Sequence, residues 1–136
     1  MPDQPPDRLP ERTRDRMQVT GAVINITSDN SARLGAWYRD VLRLPQATEM
    51  GEYAFRAGPL ELIIDAHSDT RGPAAEPSRV LLNLFVADIA AQHQRLSEAG
   101  VIFIRPPEQE PWGGIIATMT DPDGNYVQLV QFAAPS

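Results

Sequence analysis

Hydrophobic and polar positions follow strand-like spacing along most of the chain and change to helical spacing in two segments. The segment "QVTGAVINIT" (residues 18–27) is rich in β-branched and apolar residues, which predicts a strand. In the following "SARLGAWYRDVLRL", Leu34, Trp37 and Tyr38 recur at helical spacing. This spacing predicts an amphipathic helix whose two aromatic residues pack in the core. Pro45 ends that helix because proline cannot continue it.

Three short strands and a polar connection are predicted after this helix. The strands are expected at residues 46–50, 53–57 and 60–65, separated by Gly51 and by the pair Gly58-Pro59. Residues 67–78 are polar and contain Gly and Pro, so they are interpreted as a linker.

The same order of elements returns after the linker. The segment "RVLLNLFV" predicts a strand, Asp88 caps the helix "IAAQHQRLSEA", and "VIFIR", "IIATMT" and "YVQLVQF" predict three more strands. A shift of 58 residues places Asn25 on Asn83 and the cap Asn30 on Asp88. The match favours an internal duplication, although two unrelated strand–helix units could also align in this way by chance.

Composition narrows the possible classes of protein. The chain has 136 residues, 42% of them hydrophobic, and a net charge of -6, which argues against nucleic acid as a partner. No apolar run is long enough to cross a membrane, and the absence of cysteine fits a reducing cytoplasm. The proline-rich residues 1–16 predict a disordered tail. Residues 17–136 are then expected to form a single domain, with module one at 17–66, the linker at 67–78 and module two at 79–133.

Three segments resemble the vicinal oxygen chelate superfamily, which includes glyoxalase I, extradiol dioxygenases and bleomycin-resistance proteins. They are "NSARLGAWYRDVLRLP", "VADIAAQHQRLSEAGV" and "EPWGGIIATMTDPDGNYVQLVQ". The resemblance covers about residues 18–132 and is closest to the metal-independent, bleomycin-resistance-like members. It implies an α+β fold in which two βαβββ modules form a curled mixed sheet with a central cleft. It also implies a homodimer.

The resemblance further implies four metal-binding positions, which fall here on Val23 (or Ala22), Glu61, Leu81 and Gln128. The aliphatic side chains cannot donate to a metal, and Glu61 with Gln128 alone would leave most of the coordination to water. No metal and no cofactor are therefore expected. In a metal-free cleft the amide at position 128 can both donate and accept hydrogen bonds.

Strand alternation predicts which side chains line the cleft. The ligand contacts predicted on the strands are Asn25, Thr27, Glu61, Asn83, Phe85 and Gln128. Trp112 lies in a Gly- and Pro-rich loop, where an aromatic residue can cover either the core or a ligand, and the resemblance favours ligand stacking. For the two asparagines, a role as buried amides that join the modules is an equally open interpretation. Glu61 fits a solvated carboxylate as well as a functional one.

The cleft lining predicts a protein that binds a small organic compound, and the resemblance implies that it sequesters this compound. The acidic balance suits a cationic compound, and stacking on Trp112 suits a planar aromatic one. Antibiotic resistance follows only from the resemblance. The alternative is a lyase, isomerase or dioxygenase that acts on a small metabolite, with Glu61 as the base or a metal ligand. Neither a nucleic acid nor a membrane is expected as a partner.

Overall fold

The computed structural model describes residues 15–133, which form two helices and seven strands in two mixed sheets. The predicted α+β class with two modules is confirmed. The strands are divided between a three-stranded sheet 1 and a four-stranded sheet 2, one in each module. Residues 1–14, most of the predicted tail, lie outside the described part of the chain.

Module one contains one helix packed on sheet 1. Its elements are β1 (Ile24–Thr27), α1 (Ser31–Asp40), a 3-10 turn (Thr48–Met50), β2 (Ala54–Ala57) and β3 (Leu60–Asp65). The strand order is β1-β3-β2, with β1 parallel and β2 antiparallel to β3.

The strand predicted at residues 46–50 is wrong. Gln46 makes only an isolated bridge to Phe55, and the chain then turns into the 3-10 helix Thr48–Met50. The backbone N–H groups of Met50 and Gly51 donate to the carbonyls of Ala47 at 2.9 Å and Thr48 at 3.2 Å, so the hydrogen bonds of the 3-10 turn close locally, whereas the Ala47 N–H still donates to Ala54 of β2 at 2.8 Å. A segment whose backbone is satisfied within its own turn has no need of a strand partner.

Module two repeats the plan with longer strands. Its elements are β4 (Leu82–Phe85), α2 (Ile89–Glu98), β5 (Phe103–Gln109), β6 (Ile115–Thr120) and β7 (Tyr126–Gln131). The strand order is β4-β7-β6-β5. Strand β5 runs beyond the predicted "VIFIR" through Pro106 and Pro107, with register shifts on either side of Arg105. An edge strand tolerates prolines because one side of its backbone has no partner.

The shift of 58 residues holds in three dimensions. It relates β1 to β4 and α1 to α2 residue by residue. Asn30 accepts from the N–H of Arg33 at 3.2 Å, and Asp88 accepts from the N–H of Ala91 at 3.0 Å, so both helices begin with the same type of cap.

One hydrophobic core joins both modules. It contains Leu34 and Tyr38 of α1, Ile89 and Leu96 of α2, Leu62 and Ile64 of sheet 1, and Ala117, Met119, Val127 and Leu129 of sheet 2. The inner faces of the two sheets therefore pack with the helices in one cluster. The opposite faces, here called the open faces, point away from this cluster.

The linker contacts both modules although none of its residues is in a helix or strand. The hydroxyls of Thr70 and Thr27 lie 2.7 Å apart, and the N–H of Gly72 donates to Asp29 at 2.7 Å. On the other side, the N–H of Ala74 donates to the carbonyl of Asp123 at 2.9 Å. The domain boundaries themselves stay a prediction.

Candidate functional site

A row of polar side chains crosses the open face of sheet 2. In the strand register Asn83 lies beside Gln128, and Gln128 lies beside Thr118. The Gln128 amide donates to the Thr118 hydroxyl at 3.0 Å, whereas the exposed Asn83 side chain makes no hydrogen bond within residues 15–133. The row therefore presents an unused amide at its β4 end.

Three aromatic side chains, here called the aromatic cluster, lie on the same face. The ring of Phe132 is 5.0 Å from Phe85 and 6.0 Å from Trp112, centroid to centroid. Phe85, Phe132 and Trp112 are 67%, 61% and 53% exposed, respectively. Phe132 is absent from the predicted site, although the alternation of β7 through Gln128 and Val130 extends to it.

Trp112 lies directly over a glycine. A Cβ placed on Gly114 would be 1.8 Å from a ring carbon of Trp112, so only glycine permits this position of the indole. Gly114 thus lets the Trp-Gly loop lie flat against the start of β6.

The open face of sheet 1 carries polar groups that pair with one another. The Asn25 amide donates to Asp65 at 3.2 Å, and Thr27 bonds the linker through Thr70. Arg56 lies 3.9 Å from Glu61 and also pairs with Glu49. Each predicted contact residue on this face already has a partner.

The seven predicted site residues are divided between the two sheets. Asn25, Thr27 and Glu61 lie on sheet 1, and Asn83, Phe85, Trp112 and Gln128 lie on or beside sheet 2. Because both open faces point away from the shared core, a single chain does not bring the two sets together. Asn25 and Asn83 likewise do not bond each other.

The positions implied for a divalent metal do not fit one. Val23 and Leu81 are aliphatic, Glu61 pairs with Arg56, and the Gln128 amide is bonded to Thr118. The strand registers add a second mismatch, since Asn83 pairs with Gln128 while Asn25 pairs with Ile63. Glu61 is therefore not the counterpart of Gln128. Within residues 15–133 no group of three His, Cys, Asp or Glu side chains could hold a metal ion.

The turn "DPDGN" fixes module two to helix α1. The buried Tyr38 hydroxyl donates to Asp121 at 2.8 Å, and Arg33 pairs with the nearly buried Asp123 at 2.7 Å. Burial raises the pKa of Asp121 even though hydrogen bonds from Asn125, Tyr38 and the Asp123 backbone oppose the rise. Burial also raises the pKa of Tyr38, with the charge of Asp121 adding to it. The segment forms the turn between β6 and β7, and its carboxylates have a structural role.

A concave space of about 500 Å³, here called the junction pocket, lies where the modules meet. Its walls come from the end of α1, the β2–β3 turn, β4 and α2. Arg95 at this pocket donates to the carbonyls of Val41 at 2.9 Å and Leu42 at 3.3 Å. Desolvation lowers the Arg95 pKa, and the charge of Arg43 adds to the effect. The pocket was not predicted, because it arises from how two helical units pack.

The fold and this arrangement define a member of a known family. The model of the Glyoxalase/Bleomycin resistance protein/Dioxygenase superfamily matches residues 22–129, and the chain belongs to that superfamily. A search of curated proteins found no significant match.

Solved structures with the same fold come from proteins of different kinds. A superfamily member from Sphaerobacter thermophilus DSM 20745 is 24% identical, with 82% of this chain and 98% of that chain covered and a TM-score of 0.60. A lactoylglutathione lyase from Agrobacterium tumefaciens is 18% identical, with 84% and 96% covered and a TM-score of 0.62. TioX from Micromonospora sp. ML1 is 16% identical, with 86% and 99% covered and a TM-score of 0.58. At these identities the likeness shows the fold alone. None of the described helices has the length and apolar character needed to cross a membrane.

Proposed function

We propose that this protein binds a small organic molecule on the open face of sheet 2, without a metal, and acts by sequestering it. The observation that carries the proposal is the aromatic cluster beside the polar row. Three large aromatic side chains, each more than half exposed, form a contiguous apolar surface of the kind that marks a binding site.

The chemistry of this face supports a planar or cationic ligand. Ring faces of Phe85 and Trp112 would stack on a flat π-system or attract a cation. The Asn83 amide, which has no partner in the described chain, would supply orientation by donating or accepting a hydrogen bond. A few placed polar groups on aromatic walls suit a small-molecule site.

We also propose that the working unit is a homodimer. Each open face is one wall without an opposite wall, because the chain's own helices occupy the inner side. In the proposed dimer, sheet 1 of one chain lies opposite sheet 2 of the other. Asn25, Thr27 and Glu61 would then complete a cleft that begins with the aromatic cluster.

The absence of cysteine supports a cytoplasmic location.

The alternative, a lyase, isomerase or dioxygenase with Glu61 as base or metal ligand, ranks second. Arg56 lies 3.9 Å from Glu61, and this pairing occupies the carboxylate. The residues implied for a metal do not fit one. Substitution of Glu61 by Gln would separate the two functions, because sequestration would survive it and proton abstraction would not.

Ligand binding can be tested by a thermal-shift screen of cationic antibiotics and planar aromatic metabolites in the presence of EDTA, followed by calorimetry on the strongest hit. We expect binding that persists with EDTA and weakens about tenfold or more in Trp112→Ala, as stacking and burial are lost. Ile102→Ala, which also truncates an exposed apolar side chain, is the control. Binding that requires an added metal, or that Trp112→Ala leaves unchanged, would contradict the proposal.

The dimer can be tested by mixing two variants that each fail to bind. Trp112→Ala removes the aromatic wall, and Asn25→Trp blocks the opposite wall. If each cleft takes its walls from two chains, a mixed dimer contains one site with both walls intact, so mixing restores part of the binding. If each cleft lies within one chain, mixing restores none. Sedimentation velocity on the separate variants shows whether they still form dimers.

A further inference from the structure

We propose that the junction pocket is a second ligand site, which takes a monocarboxylate with an apolar body, such as a medium-chain fatty acid. The pocket borders the proposed ligand face at β4, where Asn83 and Phe85 line both, but its leucines and Arg95 give it a different chemistry. The proposal rests on Arg95 and the leucines, none of which the function proposed for the open face uses.

The size and the walls of the junction pocket suit an apolar body. Its volume of about 500 Å³ falls within the range of roughly 300–1,000 Å³ that is usual for small-molecule pockets. Six leucines line it, three from module one and three from module two: Leu42, Leu44, Leu60, Leu84, Leu96 and Leu129. A hydrocarbon chain in this space would remove apolar surface of both modules from water.

Arg95 gives the pocket a cation that has no carboxylate partner. Its guanidinium donates to the Val41 and Leu42 carbonyls and to the Gln92 side chain, and no ion pair to it is found within residues 15–133. Arginine carries five N–H groups, so two remain after these three bonds. A ligand carboxylate at this position would accept a charge-assisted hydrogen bond and neutralise a partly desolvated charge.

The distribution of charge sets the direction of the ligand. On the side of the β2–β3 turn, Arg56 is already paired with Glu49 and Glu61. On the side of α2, Arg43 adds positive potential to that of Arg95. The carboxylate therefore belongs at Arg95, and the apolar chain belongs near Pro59 and Leu60. The net charge of -6 gives no hint of this site, because the charged side chains that line the pocket, Arg56 and Arg95, are both cationic.

Sodium octanoate and sodium decanoate are suitable probes, with octyltrimethylammonium as a probe of equal chain length and opposite charge. Binding is measured by calorimetry, and the site is located from amide chemical shifts in ¹⁵N spectra. We expect saturable binding of the carboxylates, stronger for decanoate, with shifts confined to residues 57–60, 83–86 and 92–96. Shifts centred on Gln128 and Trp112, or equal binding of the ammonium probe, would overturn the proposal.

Substitution of Arg95 tests whether its guanidinium contacts the ligand in addition to bonding the carbonyls at the end of α1. Arg95→Gln is expected to weaken decanoate binding about tenfold or more, as a charge-assisted bond is lost. Arg79→Gln, which removes the same charge from an exposed arginine paired with Glu76 in the sequence before β4, is the matched control. Decanoate binding that is equal in the two variants would overturn the assignment of Arg95.

A second variant keeps the test valid if Arg95→Gln unfolds the protein. Ala57→Leu leaves every arginine in place and fills part of the pocket. It is expected to abolish the preference for decanoate over octanoate, while Trp112→Ala leaves decanoate binding unchanged. If Ala57→Leu binds decanoate as the parent chain does, or if Trp112→Ala loses it, the junction pocket is not the site.

Discussion

The two modules share one plan but present opposite kinds of surface. Sheet 1 shows an open face of paired polar groups, in which Glu61 is held by Arg56 and Asn25 by Asp65. Sheet 2 shows an aromatic cluster with an unused amide. At equivalent positions, related by the shift of 58 residues, module one has Thr27 where module two has Phe85.

The connecting turns differ in the same way. The β6–β7 turn is bound to helix α1 through Asp121 and Asp123. The corresponding β2–β3 turn, with Gly58 and Pro59, borders the junction pocket instead. The comparison shows that two copies of one module can make different contacts at equivalent positions. Module two carries the proposed ligand-facing surface and is bound to helix α1 through its turn, while module one leaves space at its turn.

The largest expected effect comes from removing the side-chain contact that holds the β6–β7 turn to helix α1. Asp121→Ala leaves the buried Tyr38 hydroxyl without a partner and removes acceptors for the backbone of the turn. We expect a loss of about 2–4 kcal/mol in the free energy of unfolding, measured by urea denaturation.

Pro59→Ala in the matching turn of module one serves as the control and is expected to cost less than about 1 kcal/mol. Equal losses in the two variants would mean that the turns are not different in kind.

The next largest effect is expected from exchanging Thr27 and Phe85, the equivalent residues that distinguish the two open faces. Phe85→Thr is expected to weaken binding of the screened aromatic ligand about tenfold, because part of the stacking surface is lost. Thr27→Phe should not create a second site, because it instead breaks the contact with Thr70 of the linker. Calorimetry on each variant measures the affinity. Unchanged binding in Phe85→Thr would remove the functional difference between the sheets.

A smaller effect is expected where Trp112 lies on its glycine. Gly114→Ala forces the indole away from β6, so ligand affinity should fall several-fold, to a smaller extent than in Trp112→Ala. Gly21→Ala is the control, since a Cβ there has no atom within 4 Å. If both variants bind like the parent chain, the position of the indole is not important.

The smallest expected effect is a pH dependence at the β6–β7 turn. The pKa of Asp121 is raised in the folded chain, mainly by burial. Its contribution to stability is therefore complete below its unfolded pKa of about 3.9 and decreases as the pH rises through the folded value.

Asparagine does not titrate. We therefore expect the difference in free energy of unfolding, Asp121→Asn minus the parent chain, to be more positive at pH 7 than at pH 3. Urea denaturation at both pH values, together with a carboxyl-carbon titration by NMR, tests this. A folded pKa for Asp121 below that of an exposed aspartate would contradict it.

Local signals in the sequence predicted much of the fold. The caps Asn30 and Asp88 mark where both helices begin, and the alternation that separates Leu82 and Leu84 from Asn83 holds in the structure. These features depend on neighbouring residues, so periodicity and capping chemistry suffice. The wrong strand prediction at residues 46–50 also results from relying on local signals. The polar and apolar residues there are compatible with either a strand or a tight turn.

The candidate site was less accessible to prediction because it depends on long-range packing. Strand alternation correctly placed Gln128 and Phe85 on one face. It does not show that the helices fill the space between the sheets, so Glu61 was expected across one cleft from Gln128. The contacts of Tyr38 with Asp121 and of Arg95 with the end of α1 span 83 and 53–54 residues, respectively. No local sequence pattern indicates contacts between residues so far apart along the chain.

The two tryptophans make the protein its own optical reporter. Trp37 is half-buried against the ring of Tyr38 at 5.0 Å, whereas Trp112 stands 53% exposed beside the polar row. A molecule that covers the aromatic cluster would dehydrate only the second indole and move its emission to shorter wavelength. In a Trp37→Phe chain the whole signal would come from the proposed site, so occupancy could be followed in a cuvette without labelling either partner.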